Sequence, residues 1–300
     1  MQRRSFIRNA ALTFGALTLS QQKLLATLFQ EPWKIKMLRG DVGIFTERGG
    51  TIGFYLGKDA NVVIDSQFPD TSSHLIDELK KRSDKPLQFL INTHHHGDHT
   101  GGNISFKGLV KHVVAHQNSL QNQQRVAQAN KTEDKQLFPD VTFTDKWKAK
   151  LGKETVSIHY FGAAHTDGDS VTYFEKANIA HVGDLVFNRR HPFVDRTAGA
   201  NMQNWMKVLD AIAKKFERDT LYIFGHAAEG YEVTGTREDL MKFKDYLGRV
   251  LDFAQKEIRL GTSKEDFVRK TQIPGDAEWK GDGIQRPLTA AWEELTSNRK

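Results

Sequence analysis

Seven residues, far apart in the chain, carry side chains suited to binding metal ions. The densest group is Thr93-His94-His95-His96-Gly97-Asp98-His99, in which donors recur as His-x-His-x-Asp-His. An extended segment points alternate side chains the same way, so His94 and His96 can converge on one ion while His95 faces the other side. Gly97 lets the chain turn and aims Asp98 and His99 at a neighbouring point. Three further candidates each follow a predicted strand: His165 after Gly162-Ala163-Ala164, Asp184 after His181-Val182-Gly183, and His226 after Phe224-Gly225. Singly, each reads as well as a packed histidine or a turn-capping aspartate. Behind the first motif, the three together point to one open site. The chain has no cysteine, so thiolate ligands and disulfides are excluded. Histidine and carboxylate donors suit zinc first, with iron or manganese as alternatives.

Such donors need a rigid scaffold. Strands are predicted over 36–46, 51–56 and 62–65, with Gly49-Gly50 turning between the first two. A helix over 72–81 would bury Leu75, Ile76 and Leu79, and a strand over 87–92 leads into the histidine motif. Further strands are expected over 112–115, 156–161, 171–174, 179–182 and 220–224. Asn201 would cap a helix whose stripe of Met202, Trp205, Met206, Leu209, Ile212, Ala213 and Phe216 faces a core. That stripe assigns Trp205 to packing. Thr236 and Asp239 form a capping box for another helix, and Ser263-x-x-Asp266 opens a third. Two similar strand-rich halves with helices outside predict an α+β, four-layer αβ/βα sandwich, with residues 27–300 as one domain.

The N-terminus carries a separate message. Arg3-Arg4-Ser5-Phe6-Ile7-Arg8 precedes an apolar run from Ala10 to Leu19 that is too short to span a bilayer. This pattern predicts a twin-arginine-like signal peptide over residues 1–26, the export machinery as a partner, and a periplasmic or otherwise extracytoplasmic location. It also explains the net charge. Arg3, Arg4, Arg8 and Lys23 supply four of the +6, leaving +2 on the remainder. Nucleic acid is therefore not the expected partner; a small-molecule substrate is.

In the order and spacing of these motifs, the chain resembles the metallo-β-lactamase superfamily over roughly residues 36–230. The resemblance implies that His94, His96 and His165 hold a first divalent ion and that Asp98, His99 and His226 hold a second. It implies that Asp184 bridges the two, as in the glyoxalase II and quorum-quenching lactonase branches, and that Asp65 orients the ligand loop. The implied activity is a dinuclear hydrolase in which a metal-bridging hydroxide attacks an ester, lactone, thioester or β-lactam-like amide, with Asp98 and Asp184 as its catalytic carboxylates. Departures narrow the branch. True β-lactamases place Cys or Ser where Asp184 stands, and flavodiiron oxygen reductases require Glu at the place of His96. The 19 residues from His165 to Asp184 and the 42 from Asp184 to His226 leave no room for the nuclease branch's inserted domain. A metal-binding accessory protein of an exported redox or quinoprotein system is the alternative, and a phosphodiesterase or nuclease ranks third. His191 and Asp195 are candidates for lining the pocket. His74, His112, His116, His159 and His181 read as surface or packed residues.

Overall fold

The computed structural model describes residues 33–297, so the expected leader over 1–26 lies outside the described residues. A compact unit begins at Ile35. Its first sheet holds seven strands in sequence order: β1 (Lys34–Met37), β2 (Val42–Thr46), β3 (Ile52–Leu56), β4 (Asn61–Ile64), β5 (Leu87–Asn92), β6 (Val110–His116) and β7 (Val141–Phe143). Its second sheet runs β13 (Thr234–Gly235), β12 (Leu221–Ala227), β11 (Ile179–Asn188), β10 (Ser170–Phe174), β9 (Glu154–Tyr160) and β8 (Lys146–Leu151). Both sheets are mixed, since β4, β5, β6 and β7 pair in parallel and so do β11 and β12.

Alternation along these strands builds the layers. Val62, Ile64, Ile91 and Val114 of the first sheet meet Val156, Ile158, Phe174 and Ile223 of the second in one buried cluster. The other face of the second sheet packs against α4 (Met202–Lys215), α5 (Arg237–Arg259) and α7 (Gln285–Ser297), through Trp205, Leu209, Phe243, Leu247 and Leu288. Helix α1 (Pro69–Arg82) buries the expected Leu75, Ile76 and Leu79. A short helix α2 (Gly97–Thr100) carries part of the histidine motif, α3 (Gln117–Asn130) lies on β6 and β7, and α6 (Lys264–Val268) is capped by Ser263. The α+β sandwich of two sheets flanked by helices agrees with the expectation.

Several boundaries differ, each for a local reason. The strand expected over 36–46 breaks into β1 and β2, because Gly40 takes φ +57 and Leu38 N–H closes a turn on the Val42 carbonyl at 2.8 Å. Helix α1 starts at Pro69 rather than Ser72, since proline's missing N–H costs nothing in a first turn. The strand expected to stop at Val182 continues to Asn188 as β11, and Asp184 sits within it at an irregular stretch of pairing with β12. Phe216 ends α4 as its cap and is not a helical residue. Sequence reasoning missed α3, whose polar surface offers little apolar stripe, and the lysine-rich edge strand β8. Alternating lysines suit an edge that must not pair further.

Candidate metal centre

The histidine motif leaves β5 at Asn92 and is locked from below by Asp65. This residue directly follows β4, in the left-handed region at φ +63, and is fully buried. Its carboxylate accepts from Thr93 N–H at 2.8 Å, from Thr93 Oγ1 at 2.7 Å and from His99 Nδ1 at 2.7 Å. The role implied for Asp65 is thus visible as three hydrogen bonds. The second sheet is tied on directly: Ser170 N–H donates to the Thr93 carbonyl at 2.8 Å, and Thr51 N–H to the Gly225 carbonyl at 2.9 Å. Gly225 permits a close approach, because a Cβ there would collide with Asp184 Oδ1.

These constraints bring all seven candidate residues together in two adjoining groups: His94, His96, His165 and Asp184, and then Asp98, His99 and His226. In the first, His96 Nδ1 lies 3.0 Å from His94 Nε2 and 2.9 Å from His165 Nε2. Asp184 Oδ2 faces that group, 3.5 Å from His165 Nε2 and 3.9 Å from His94 Nε2. Asp184 Oδ1 faces the second, 3.0 Å from His99 Nε2 and 3.4 Å from His226 Nε2. Asp98 Oδ2 is 3.1 Å from His226 Nε2 and 3.8 Å from His99 Nε2. Tetrahedral donors about 2.0–2.1 Å from a zinc ion stand about 3.3 Å apart, which is the scale of both groups.

Outer partners determine which ring nitrogens carry protons. The Phe193 carbonyl, 2.9 Å from His165 Nδ1, can only accept, so the proton is on Nδ1 and Nε2 keeps its lone pair. Asp195 Oδ2 accepts in the same way from His96 Nε2 at 3.0 Å, so the neutral tautomer it selects turns the Nδ1 lone pair to the centre. Thr93 Oγ1 spends its own proton on Asp65 and so accepts from His94 Nδ1 at 3.1 Å. In these tautomers His96 Nδ1 meets the lone pairs of His94 Nε2 at 3.0 Å and His165 Nε2 at 2.9 Å, an arrangement that a shared cation relieves. Asp184, buried between the two groups with ring nitrogens facing each of its oxygens, points to the same need. The donors fit a metal ion.

Electrostatics separate the two groups. Burial pushes His165 down to about 3 and His94 well below 6.5, with neighbouring histidines adding to the effect, so both are neutral. Burial also disfavours charge on His99 and His226, but Asp184 and Asp98 outweigh it, raising His226 to about 9 and His99 well above its usual value. The carboxylates answer in kind. Against burial, His99 and His226 hold Asp98 down at about 2 and Asp184 far below the carboxylate range. In the absence of metal, then, protons occupy the second group, and metal binding must displace them.

A pocket of about 380 Å³ opens over these groups. His96, Asp98, Asp184 and His226 form its floor, while Phe187, Phe193, Arg190, His191 and Arg286 contribute to its walls. His191 therefore lines the pocket as expected. Asp195 does not: it is buried behind His96, with the His95 ring 3.5 Å from the same carboxylate oxygen. His95 belongs to neither donor group, consistent with alternation along the motif. Trp205 is fully buried and donates Nε1–H to the Leu185 carbonyl at 3.0 Å, as a core residue. His74 and His112 pair with Glu47 and Asp140 near the surface, and His116 and His181 are packed on the Thr144 and Thr51 carbonyls. Sequence reasoning missed the orienting roles of Thr93, the Phe193 carbonyl and Asp195; the 99 residues between His96 and Asp195 carry no spacing signal.

A family model for the metallo-beta-lactamase superfamily matches residues 45–226, a stretch that holds all seven residues. The chain belongs to that superfamily. It is 28% identical over 155 residues to the metallo-beta-lactamase IND-1 of Chryseobacterium indologenes, covering 51% of this chain and 60% of the relative. It is 25% identical over 166 residues to the type 2 metallo-beta-lactamase of Elizabethkingia meningoseptica, covering 55% of this chain and 64% of the relative. The chain thus spans about three fifths of the length of these curated relatives. Among solved structures, a metallo-beta-lactamase from Pontibacter korlensis superposes with a TM-score of 0.59 at 20% identity, covering 72% of this chain and 99% of that one. One from Hirschia baltica gives 0.58 at 18%, covering 72% and 98%. At such identities the structural likeness is one of fold.

Proposed function

We propose that this superfamily member is a hydrolase that binds two divalent metal ions, zinc first among them, and cleaves an ester, lactone, thioester or amide bond in a small molecule. The observation that carries this reading is the position of Asp184, buried with one oxygen facing each donor group. His94, His96 and His165 would hold the first ion, Asp98, His99 and His226 the second, and Asp184 would touch both. When bound, such a pair lowers the pKa of water to about 7 and polarises the oxygen of the bond to be cleaved. The protein's own contribution is preorganisation: ring nitrogens of the first group turned inward by their outer partners, and a carboxylate fixed between the two groups. Asp98 is 32% exposed against 4% for Asp184, so Asp98 is the carboxylate on the solvent side, suited to handling a proton as well as binding. β-Lactams belong among the test substrates because the relatives are named metallo-beta-lactamases.

The test is metal analysis of purified protein, followed by esters, lactones, thioesters, β-lactams and phosphodiesters on wild type and Asp184→Ala. About two metals per chain are expected, with one or both lost in the variant together with activity. A wild type that keeps one ion or none after supplementation refutes the dinuclear reading. A loaded protein inert towards every substrate class refutes the hydrolase. We extend the proposal to export on the strength of Arg3-Arg4 and the run that follows. Among the described residues no helix is long and apolar enough to cross a membrane. Cell fractionation of wild type and an Arg3→Lys, Arg4→Lys variant tests it.

A further inference from the structure

A buried carboxylate on the last helix reaches the first turn of α4. Glu294 of α7 is 3% exposed and lies past the 45–226 stretch that matches the family. Burying such a charge is costly unless donors surround it. Glu294 has three: Met202 N–H at 2.8 Å and Arg196 Nη1 at 3.4 Å on Oε2, and Gln203 N–H at 3.0 Å on Oε1. A helix leaves its first N–H groups without partners of its own. Asn201 Oδ1 takes Asn204 N–H at 2.7 Å, and Glu294 completes the cap from another helix. Its negative charge suits that end of α4.

The stretch it fixes is continuous with the outer partners of the first donor group. The same Arg196 Nη1 that meets Glu294 donates to the Ala200 carbonyl at 2.8 Å. Within that turn Asp195 Oδ1 accepts from Thr197 N–H at 3.0 Å and Ala198 N–H at 3.2 Å, which leaves Oδ2 for His96. The stretch also grips the loop that carries His165. Asn201 N–H donates to the Ala164 carbonyl at 3.0 Å, Asn204 Nδ2 to the Ala163 carbonyl at 2.8 Å, and Asp167 N–H to the Ala198 carbonyl at 2.8 Å. At its start the Phe193 carbonyl meets His165 Nδ1. His99 Nδ1 is held instead by Asp65, directly after β4.

We propose that Glu294 is a positioning residue for the first donor group. By tying α7 to residues 196–203 it keeps the Phe193 carbonyl and the Asp195 carboxylate where they orient His165 and His96. It acts on the rings only through that stretch. The consequence for metal binding rests on the two-ion reading above, whereas the ring orientation is a property of the metal-free protein.

The test is Glu294→Gln in the full-length chain. An amide has one accepting and one donating end, so whichever way it sits, Met202 N–H or Gln203 N–H faces another N–H. In metal-free protein carrying isotope-labelled histidine, solvent exchange of the His165 and His96 ring N–H protons should quicken about tenfold or more, while that of His99 stays unchanged. Leu79→Ala, a cavity variant in α1, controls for general destabilisation, each protein being measured at the same interval below its own Tm. Arg196→Gln cuts the second link at a side chain 30% exposed, and should give the same pattern; it carries the test if Glu294→Gln does not fold. Zinc competition against a chelator should show one ion held about tenfold more weakly in Glu294→Gln and the other unchanged. Equal quickening at all three rings, no quickening at any, or the same selective pattern in Leu79→Ala would overturn the proposal. Looser His165 and His96 rings with both zinc affinities unchanged would overturn it too. Should wild type take up no zinc, the two-ion reading fails and ring exchange alone decides whether Glu294 positions the rings.

Discussion

Asp65→Asn tests most directly whether outer hydrogen bonds set the metal site. The change is nearly isosteric, yet it converts one carboxylate oxygen into an N–H donor. Oδ1 accepts only from Thr93 N–H, whereas Oδ2 accepts from both Thr93 Oγ1 and His99 Nδ1. An asparagine keeping its oxygen towards Thr93 N–H therefore sets donor against donor at the other two contacts. Buried hydrogen bonds to a charged group are worth about 1.5–3 kcal/mol each, and partial rearrangement of the Thr93 hydroxyl recovers some of that. The net loss is about 3 kcal/mol, or roughly 5–10 °C in Tm for a chain of this size. The sharper consequence concerns His99. Without an acceptor at Nδ1, the ring shifts its proton to Nε2, the nitrogen that faces Asp184 and Asp98. The second ion should then bind about 10–100-fold more weakly, while His96 and His165 keep their partners and the first ion stays. Competition against a chelator of known affinity, with stoichiometry by native mass spectrometry, distinguishes one tight and one weak ion from two tight ones. Two unchanged affinities in Asp65→Asn would refute the idea that Asp65 sets the His99 tautomer.

Two further outcomes follow from the same geometry. Gly225→Ala puts a methyl group into Asp184 Oδ1, so the carboxylate must move and metal content and activity should both fall; a variant with full loading would show that β12 can yield. For the metal-free protein, His226 is raised to about 9 from an unfolded value near 6.5. Its stabilising contribution is complete below pH 6.5 and is lost as pH rises through 9. Calorimetric Tm of chelated protein should therefore fall over that window, while metal affinity rises over the same range because fewer protons compete. A flat Tm profile would contradict it.

How much was legible beforehand depended on how local the signal was. The strand over Leu87–Asn92, the Asn201 cap and the Thr236 capping box are set by neighbours within a few residues, and all appear in the structure. The break between β1 and β2 and the run of β11 through Asp184 were not, because a glycine turn and partner-strand pairing decide where a strand stops.

The candidate donors themselves were determined by the sequence alone: no cysteine, and His and Asp at spacings that an extended segment and three later strands or strand-end loops can bring to one place. What they do to one another was decided only by tertiary structure. The ring orientations of His96 and His165 are set by Asp195 and the Phe193 carbonyl, which sit 99 and 28 residues away in the chain. The pocket over them is likewise lined by side chains from distant segments, Phe187 and Phe193 from one and Arg286 from another. Spacing reports which side chains a strand can present; proton positions and charge complementarity depend on contacts across the folded chain, and these leave no periodic trace in the sequence.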